Sequence, residues 1–317
     1  MLQVKVAKKN KESEHIVSFD LVALDGQALP EFTAGAHIDV QTPNGPTRQY
    51  SLCSSVTERD HYRIAVILEA ESRGGSAAMH SAVNEGDLLT ISEPRNLFPL
   101  AEKATNSLLI AGGVGVTPMM CMADALHRQG AAFSMYYCGR NKQHMAFVDD
   151  LLSSDFADRV EIHENNGIAE KRKDMDALLS TVLADTHLYV CGPNGFMDHV
   201  LDTARKHGWP ETQLHREYFT APVTDDDSSD AFVIELVQSG KVLTVPADMS
   251  AAEVILEAGI DLSVSCEQGV CGACLTDVLE GTPDHRDSFL TDEEQQANDQ
   301  FTPCCSRSRS AKLVLDL

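Results

Sequence analysis

The sequence predicts a multidomain protein in which an all-β part, an α/β part and an α+β part follow one another. The first hundred residues contain short alternating runs between turn signals, which is typical of a small antiparallel barrel. From about residue 104, apolar runs alternate with helix-like segments, as in a parallel sheet. A cysteine-rich stretch then marks a third part. The length of 317 residues is sufficient for all three.

The composition excludes several classes of protein. With 43% hydrophobic and 6% aromatic residues, the chain has the composition of an ordinary globular protein. It contains no run of eighteen apolar residues and no apolar signal core, so we expect a cytoplasmic protein without membrane contact. The formal net charge of −23 argues against nucleic acid, because phosphates require basic patches. The same charge suits attraction of a basic protein partner, or solubility alone.

Three alternating runs predict the barrel strands, at residues 15–21, 37–40 and 62–68. Turn signals at Asp25-Gly26 and at residues 43–46 separate them. Because alternation with period two buries one face of a strand, these runs indicate half-buried antiparallel strands.

The predicted barrel contains two segments that suit a phosphorylated aromatic ligand. Arg48 offers a bidentate donor to phosphate, Tyr50 a surface for a flat ring, and Ser51 a hydroxyl for a ring heteroatom. In residues 72–76, successive glycine amides can form an anion-binding nest beside a hydroxyl. Either segment alone is weak evidence, because a strand tyrosine usually packs and a Gly-Gly pair usually turns. Their order within one barrel favours a binding site.

Residues 104–220 contain a glycine-rich turn between a strand and a helix. The apolar run 107–111 leads into the turn at 112–118 and then into a helix-like segment at 119–126. Backbone amides and a helix N-terminus in such a turn can face a pyrophosphate. Pro118 suits the first helical turn because its missing N–H is not needed there. The turn is not G-x-G-x-x-G, so it does not identify a dinucleotide site by itself.

Two further strand ends lie at residues 133–140 and 187–193. Both place polar or cationic groups just beyond the carboxyl end of an apolar run, where open α/β sheets bind ligands. Each one alone is an ordinary turn between elements. Three such ends in succession favour a nucleotide site.

Residues 231–317 are predicted to form a separate part after an acidic linker at 223–230. A hairpin over 232–245 is followed by a helix pattern over 251–258 that ends at Gly259. This part contains fifteen Asp and Glu residues against five Lys and Arg residues, so it carries a large share of the negative charge.

Four cysteines have the spacing of an iron–sulfur ligand set. Four residues separate the first pair, two separate the next pair, and the fourth cysteine follows after a long gap, as in plant-type [2Fe–2S] proteins. The four are Cys266, Cys271, Cys274 and Cys304. Gly269 and Gly272 allow the tight loop that surrounds a cluster. The alternatives are a zinc site, which usually shows paired knuckles or histidines, and reduced cysteines that only pack. The asymmetric spacing favours the cluster, and a reducing compartment explains the other five cysteines.

In this order, the motifs resemble the phthalate dioxygenase reductase family, which is similar to vanillate demethylase and carnitine monooxygenase reductase components. The resemblance covers essentially the whole chain. It implies a ferredoxin reductase-like protein with an FMN-binding antiparallel β-barrel, a parallel-sheet NAD(P)H-binding α/β domain and a plant-type ferredoxin β-grasp domain. Their implied boundaries are 1–102, 103–222, 223–230 for the linker, and 231–317.

The resemblance also implies a role for each matched position. FMN would be bound by Arg48, Gln49, Tyr50, Ser51, Arg73, Gly74, Gly75 and Ser76. The nicotinamide dinucleotide would lie along Gly112, Gly113, Gly115, Thr117, Pro118, Cys191, Gly192 and Pro193. The residues nearest the transfer of electrons to the flavin would be Ser51, Thr117, Cys191 and Phe219. The cluster would be held by Cys266, Cys271, Cys274 and Cys304, with Cys305 as a packing residue.

The implied activity is that of an NAD(P)H-dependent flavin and iron–sulfur oxidoreductase. A nicotinamide gives two electrons at once and a [2Fe–2S] cluster takes one, so a flavin is needed between them. The acceptor would be the terminal component of a Rieske non-haem iron oxygenase. Two alternatives remain, an FAD-containing reductase for another acceptor and an iron–sulfur redox sensor.

The preference between NADH and NADPH is left open by residues 164–166. A carboxylate at Glu164 can bond a ribose 2′-hydroxyl, but Asn165 and Asn166 cannot repel a 2′-phosphate.

Overall fold

The computed structural model describes residues 1–69, 74–182, 185–219 and 231–317. The chain divides into two compact units, Met1–Glu217 and Tyr218–Leu317. The predicted linker at 223–230 and the predicted FMN ligand Arg73 lie outside the described residues. Within the described ranges, no helix has the length and apolar character needed to cross a bilayer.

The first unit begins with seven antiparallel strands and one helix. They are β1 (Leu2–Lys11), β2 (Ile16–Ala23), β3 (Ala36–Gln41), β4 (Thr47–Ser51), β5 (Tyr62–Ile67), α1 (Gly75–Ala82), β6 (Leu88–Ile91) and β7 (Arg95–Asn96). The strand order is β4-β3-β6-β1-β2-β5, and β7 pairs with β3. Leu52, directly after β4, forms a bridge with Ile64 of β5. This bridge joins the two ends of the order, so the sheet closes into the predicted barrel.

The second half of the first unit is a parallel sheet with its connecting helices. Its elements are β8 (Asn106–Gly112), α2 (Val116–Arg128), β9 (Ala132–Gly139), α3 (Val148–Ser153), β10 (Val160–Glu164), α4 (Met175–Leu179), β11 (Thr186–Cys191), α5 (Asn194–Lys206) and β12 (Leu214–Glu217). The strand order is β10-β9-β8-β11-β12, and every pair is parallel. The order therefore reverses between β8 and β11, which creates a crevice at their carboxyl ends.

The second unit is a mixed sheet with one helix over it. Its elements are β13 (Phe232–Leu236), β14 (Lys241–Val245), α6 (Ala251–Glu257), β15 (Thr276–Glu280), β16 (Pro283–Asp284), α7 (Asp292–Ala297), β17 (Gln300–Phe301), β18 (Arg307–Ser308) and β19 (Lys312–Leu315). The main order is β14-β13-β19-β15-β17, and β13 runs parallel to β19. Ile255 of α6 packs on Ile234 and Leu313 in one buried cluster.

The predicted fold class is confirmed, and the differences are local. The helix predicted at 251–258 begins at Ala251 and ends at Glu257, with Ser250 as its N-cap in a reciprocal bond with Glu253. Helix α1 was not predicted. Gly75 and Ser76, expected in an anion-binding loop, are the first two residues of this helix.

Two stacked histidines lie on β11 and β12. His187 Nδ1 is 2.7 Å from His215 Nε2, and the second imidazole stacks on Tyr189 at 4.6 Å between ring centroids. Burial, and secondly the charge of His187, lower the pKa of His215 from 6.5 to about 4. At this distance one of the two nitrogens must donate a hydrogen bond and the other must accept it. Two neutral imidazoles with opposite tautomers meet this requirement.

We expect the first unit to lose stability as the pH falls from about 6.5 to about 4. The unfolded chain binds a proton at His215 in this range while the folded chain excludes it. In His215→Gln, the melting temperature should change less between pH 7 and pH 5 than in the natural protein. His199→Gln, on the exposed face of α5, is the matched control and should keep the natural acid sensitivity. An equal loss in all three proteins would contradict this assignment.

Candidate functional site

The glycine-rich turn after β8 packs directly against the turn after β11. A Cβ atom added at Gly115 would lie 2.3 Å from the carbonyl oxygen of Cys191 and 2.6 Å from the amide of Gly192. No side chain fits between the two backbones. The structure thus brings the predicted segments 112–118 and 191–193 together at the point where the strand order reverses, which is the ligand-binding position of open α/β sheets.

Pro118 lies in the first turn of α2, as the sequence indicated, whereas Thr117, expected in the turn before the helix, is the second residue of α2. Both residues are buried. The Thr117 hydroxyl donates to the carbonyl of Val114 at 3.0 Å, so it closes the turn. Gly113 has a φ of 55°, which favours glycine because it lacks Cβ. The backbone amides of this turn are therefore held at the head of a helix, where an anion is stabilised.

A serine of the barrel and a glutamate of the parallel sheet meet beside this crevice. Ser51, the last residue of β4, donates from Oγ to Glu217 Oε2 at 2.9 Å. Burial raises the pKa of Glu217 to about 7, although the bond from Ser51 acts in the opposite direction. Glu217 is the last residue of β12 and pairs with Cys191 across the parallel ladder. The barrel and the sheet therefore contribute neighbouring groups to one site.

Cys191 is fully buried, and burial disfavours the charged form of its thiol. Burial, and secondly the nearby Glu217 charge, raise the pKa of the Cys191 thiol well above its ordinary value of 9.0. A neutral thiol is a poor nucleophile. The Cys191 side chain lies inside the protein, and its backbone meets the turn at Gly115.

Glu217 is a functional candidate that the sequence analysis missed. A signal was available, since an acidic residue that ends a parallel strand lies at the ligand-binding edge. The strand β12 is short, however, and its position beside β11 is a tertiary feature. Phe219 follows two residues later, is partly buried and belongs to the second unit, so its role stays a prediction.

The barrel residues predicted to bind a phosphate lie next to the start of α1. A Cβ atom added at Gly75 would lie 3.3 Å from Arg48 Nε, so the guanidinium stem packs beside the helix N-terminus. A helix N-terminus and an arginine are complementary to the same phosphate group. Gly74, which precedes the helix, has a φ of 96°. These residues fit the phosphate end of a flavin mononucleotide.

Of the other barrel residues predicted to bind FMN, Gln49, Tyr50 and Ser51 lie on β4 and Ser76 lies in α1. Gln49 donates to Asp39 Oδ1 at 3.0 Å, which anchors the strand to β3. Tyr50 is partly buried, and burial raises the pKa of its phenol above the ordinary value. Tyr50 and Ser51 are successive residues of one strand and Ser51 is buried, so their contacts with a flavin ring stay predictions. Ser76 accepts from the amide of Glu69 at 3.2 Å.

Residues 164–166 follow the carboxyl end of β10. Glu164 Oε2 accepts from the amide of Lys142 at 2.9 Å, and the amide of Asn165 donates to the carbonyl of Gly139 at 3.1 Å. The carboxylate is therefore held at the sheet edge. Three basic residues follow this edge, Lys171, Arg172 and Lys173. Lys173 is paired with Glu161 at 2.6 Å.

The cysteines predicted to bind iron converge in the second unit. Cys266, Cys271 and Cys274 are buried, and Cys304 is partly exposed. The thiols of Cys271 and Cys304 donate toward Cys266, and these contacts hold the pKa of the Cys266 thiol well below its usual range. Cys274 likewise interacts with Cys304. Four cysteine sulfurs that interact with one another in this way fit the ligand set of a [2Fe–2S] cluster.

Backbone amides also point at the predicted ligand sulfurs. The amide of Gln268 donates to Cys266 Sγ at 3.3 Å, and the amide of Ala273 donates to Cys271 Sγ at 3.4 Å. Such bonds stabilise negative charge on sulfur and tune the reduction potential of a cluster. This donor pattern supports the fit between the loop and a metal–sulfur group.

The cluster loop is braced by residues 287–289. The amide of Ser288 donates to the carbonyl of Gly269 at 3.0 Å. A Cβ atom added at Gly272, whose φ is 66°, would lie 2.2 Å from Phe289 Cζ. Asp287 accepts from the amide of Leu290 at 2.8 Å and from Ser306 Oγ at 3.3 Å. The buried carboxylate thereby ties this segment to the turn that carries Cys304.

Cys305 lies on the inner side of this turn. Thr302 Oγ1 is 3.3 Å from Cys305 Sγ, and a Cβ atom added at Gly269 would lie 2.5 Å from the same sulfur. The thiol therefore packs against the cluster loop, and its role as a packing residue stays a prediction.

Comparison with known proteins gives two family matches within the chain. Residues 234–309 match the 2Fe-2S iron-sulfur cluster binding domain, and residues 92–214 match the N-terminal domain of proteins like dimethylamine monooxygenase subunit DmmA. The first match contains all four predicted cluster ligands.

Full-length relatives are also found. The chain is 50% identical to vanillate O-demethylase oxidoreductase from a Pseudomonas species over all of both proteins. It is 38% identical to the carnitine monooxygenase reductase subunit of Escherichia coli, with 100% of this chain and 98% of that protein covered. The solved structure of phthalate dioxygenase reductase superposes with a TM-score of 0.82 at 40% identity, over 100% of this chain and 98% of that one. That structure is described as transferring electrons from pyridine nucleotides to [2Fe–2S].

Replacing Gly115 with alanine should destabilise the first unit, because the new methyl group meets backbone atoms that cannot turn away. We expect a loss of about 1–3 kcal/mol in the free energy of unfolding. Gly195→Ala is the matched control, since nothing lies within 4 Å of that position in α5 and alanine favours a helix. Chemical denaturation followed by circular dichroism measures both. A tolerated Gly115→Ala would disprove the close packing of the two turns.

The two neighbouring cysteines at the end of the ligand set should respond differently to substitution. Cys304→Ser should lose most of its iron, because serine replaces a ligand thiolate. Cys305→Ser should retain about two iron atoms per chain, because its sulfur packs against the loop. Iron and sulfide analysis, with electron paramagnetic resonance of the reduced protein, distinguishes them. The reverse pattern would assign Cys305 as the ligand.

Proposed function

The chain belongs to the phthalate dioxygenase reductase family, and we propose that it passes electrons from NADH through FMN and a [2Fe–2S] cluster to a Rieske-type oxygenase. As a member, it is an NAD(P)H-dependent flavin and iron–sulfur oxidoreductase. The observation that supports the proposed electron path is a set of two contacts at the carboxyl edge of the sheet. Ser51 of the barrel donates to Glu217, and Glu217 pairs with Cys191 in the parallel ladder. We further propose the domain boundaries 1–102, 103–222 and 231–317.

Arg48 and the N-terminus of α1 bind the FMN phosphate in this proposal. The guanidinium and the helix amides contribute positive charge from two directions, so they fix one end of the cofactor. Tyr50 packs against the isoalloxazine, and the Ser51 hydroxyl lies at the reactive edge of that ring. When bound, FMN accepts two electrons from the dinucleotide and passes them on one at a time.

The turn at residues 112–118 and the turn at residues 191–193 bind the dinucleotide. Amides at the head of α2 hold the pyrophosphate, and Cys191 leaves room for the nicotinamide ring because its side chain is small and neutral. Glu164 accepts a hydrogen bond from the ribose 2′-hydroxyl, and its carboxylate disfavours a 2′-phosphate. This arrangement supports a preference for NADH.

Glu217 stabilises the nicotinamide as it loses a hydride. Positive charge develops on that ring during the transfer, and a carboxylate held in a low-dielectric site stabilises such charge. The bond from Ser51 orients the carboxylate for this task. Because the pKa of Glu217 is about 7, the group is mostly ionised only above that pH.

Four cysteines hold the cluster, and the acidic second unit presents it to the oxygenase. The amides of Gln268 and Ala273 stabilise the negative charge that the sulfurs carry. The excess of Asp and Glu over Lys and Arg in residues 231–317 attracts a basic docking surface on the partner.

The proposed electron path is tested by adding NADH to the purified protein without oxygen. The visible bands of the flavin and of the cluster should both bleach, and extraction should release FMN. Release of FAD would replace FMN in the proposal. Absence of NADH-driven reduction of the flavin would contradict the reductase role and favour a redox sensor.

In stopped-flow experiments, the rate of flavin reduction by NADH should rise as the pH passes through about 7, because Glu217 ionises there. Glu217→Gln keeps an acceptor for Ser51 but cannot carry charge. This variant should lose the inflection and react at least about tenfold more slowly at pH 8. Reduction of its cluster by dithionite should be unchanged. A natural pH profile in the variant would remove Glu217 from this role.

Reduction of the oxygenase should slow as ionic strength rises, because salt screens attraction between exposed charges. The measurement is electron transfer to the purified partner between about 20 and 300 mM salt. Flavin reduction by NADH in the same buffers is the internal control. A transfer rate that does not respond to salt would exclude the acidic surface from docking.

A further inference from the structure

Three side chains of the types that bind zinc converge on the first unit. Glu14 and His15 lie in the turn between β1 and β2, and His144 ends a short 3-10 helix at Lys142–His144. One ligand atom from each of the three lies within 4.8 Å of the other two. None of these residues belongs to the predicted flavin, nucleotide or cluster sites.

The hydrogen bonding of His144 determines which ring nitrogen faces Asn141 and which faces Glu14. Nδ1 lies 2.7 Å from the side-chain oxygen of Asn141, which can only accept, so Nδ1 is the donor. In the neutral ring, Nε2 then carries a lone pair. This nitrogen lies 3.4 Å from Glu14 Oε2, which is also an acceptor. Two acceptors that face each other need a cation between them, either a proton or a metal ion.

The separation of the two acceptors matches a metal ion better than a hydrogen bond. A good N–H···O contact is about 2.9 Å long. Two ligands of a tetrahedral zinc ion, each about 2.1 Å from the metal, lie about 3.4 Å apart. The distance between His144 Nε2 and Glu14 Oε2 equals this edge. A ring nitrogen of His15 lies within 4.8 Å of the ligand atoms of Glu14 and His144, so His15 is the third candidate ligand.

The backbone already holds the two segments together. The amide of Glu14 donates to the carbonyl of Gln143 at 2.9 Å, which joins the two segments. The amide of Leu68 donates to the carbonyl of His15 at 2.8 Å, which fixes the turn to the end of β5. The ligands thus need little reordering on binding. Glu14 and His15 are exposed, so the site has an entry path and space for a water as the fourth ligand.

We propose that Glu14, His15 and His144 form a site for a divalent cation of the zinc type. Asn141 orients His144, as carbonyl and carboxylate groups do for other zinc-binding histidines. The ion links the β1–β2 turn of the barrel to the segment between β9 and α3. That segment also bonds to Glu164 through the amide of Lys142, so the ion stabilises the carboxyl edge of the sheet.

The experiment is a calorimetric titration of zinc into the oxidised, cluster-loaded holoprotein, prepared without a histidine tag. We expect one zinc per chain and a rise in the melting temperature of about 5 °C at about 100 times the dissociation constant. The flavin and cluster absorbance should stay constant, which shows that zinc has not displaced iron. His144→Gln and His15→Asn should each abolish this binding event.

Two further variants sharpen the result. Asn141→Leu should weaken zinc binding about 10–100-fold, because it removes only the group that orients His144. His199→Gln removes an exposed histidine elsewhere on the unit and should bind zinc as the natural protein does. Circular dichroism and flavin content verify the fold of each variant.

Three outcomes would overturn the proposal. The first is absence of a stoichiometric event, which would make the contact an ion pair between protonated His144 and Glu14. The second is equal binding by all variants, which would show an adventitious ion only. The third is loss of binding in His199→Gln together with retention in His144→Gln.

Discussion

The contact between two backbone turns at the reversal of strand order governs the architecture of the first unit. Strand β8 leads outward to β9 and β10, while β11 and β12 extend the sheet in the opposite direction. The strand order therefore reverses at β8 and β11, and open α/β sheets bind ligands at the carboxyl edge of such a reversal. Gly115 allows those turns to touch, because any side chain there would overlap the backbone of Cys191. The helix amides, the neutral thiol and the sheet edge all take their positions from this contact.

Burial controls the charge of the groups in the crevice. It raises the pKa of both Cys191 and Glu217, so the thiol stays protonated and the carboxyl titrates near neutrality. The charge of Glu217 is a second, smaller cause of the raised pKa of the Cys191 thiol. The hydroxyl of Ser51 is the one contact that favours the carboxylate. The negative charge of an ionised Glu217 therefore lies at the contact between the barrel and the parallel sheet.

In the second unit, electrostatic repulsion between negative charges must be offset. This unit must hold negatively charged sulfurs in a domain that is itself acidic. Backbone amides at Gln268 and Ala273 supply positive dipoles to the sulfurs without adding charged side chains. Asp287 is buried nearby, and its carboxylate is satisfied by amides and by Ser306. The loop is therefore held by hydrogen bonds from backbone amides and from the segment that carries Asp287.

Local patterns in the sequence were sufficient for the fold class and for much of the candidate site. The cysteine spacing, the glycine-rich turn at 112–118 and the alternating runs depend on residues close together in the chain, so each leaves a readable signal. Contacts between residues that are far apart in the chain leave no such signal in the sequence. The bond from Ser51 to Glu217 joins residues 166 positions apart, and barrel closure depends on Leu52 meeting Ile64. The convergence of Glu14 and His15 with His144 is likewise tertiary, because only the fold decides which distant side chains face one another.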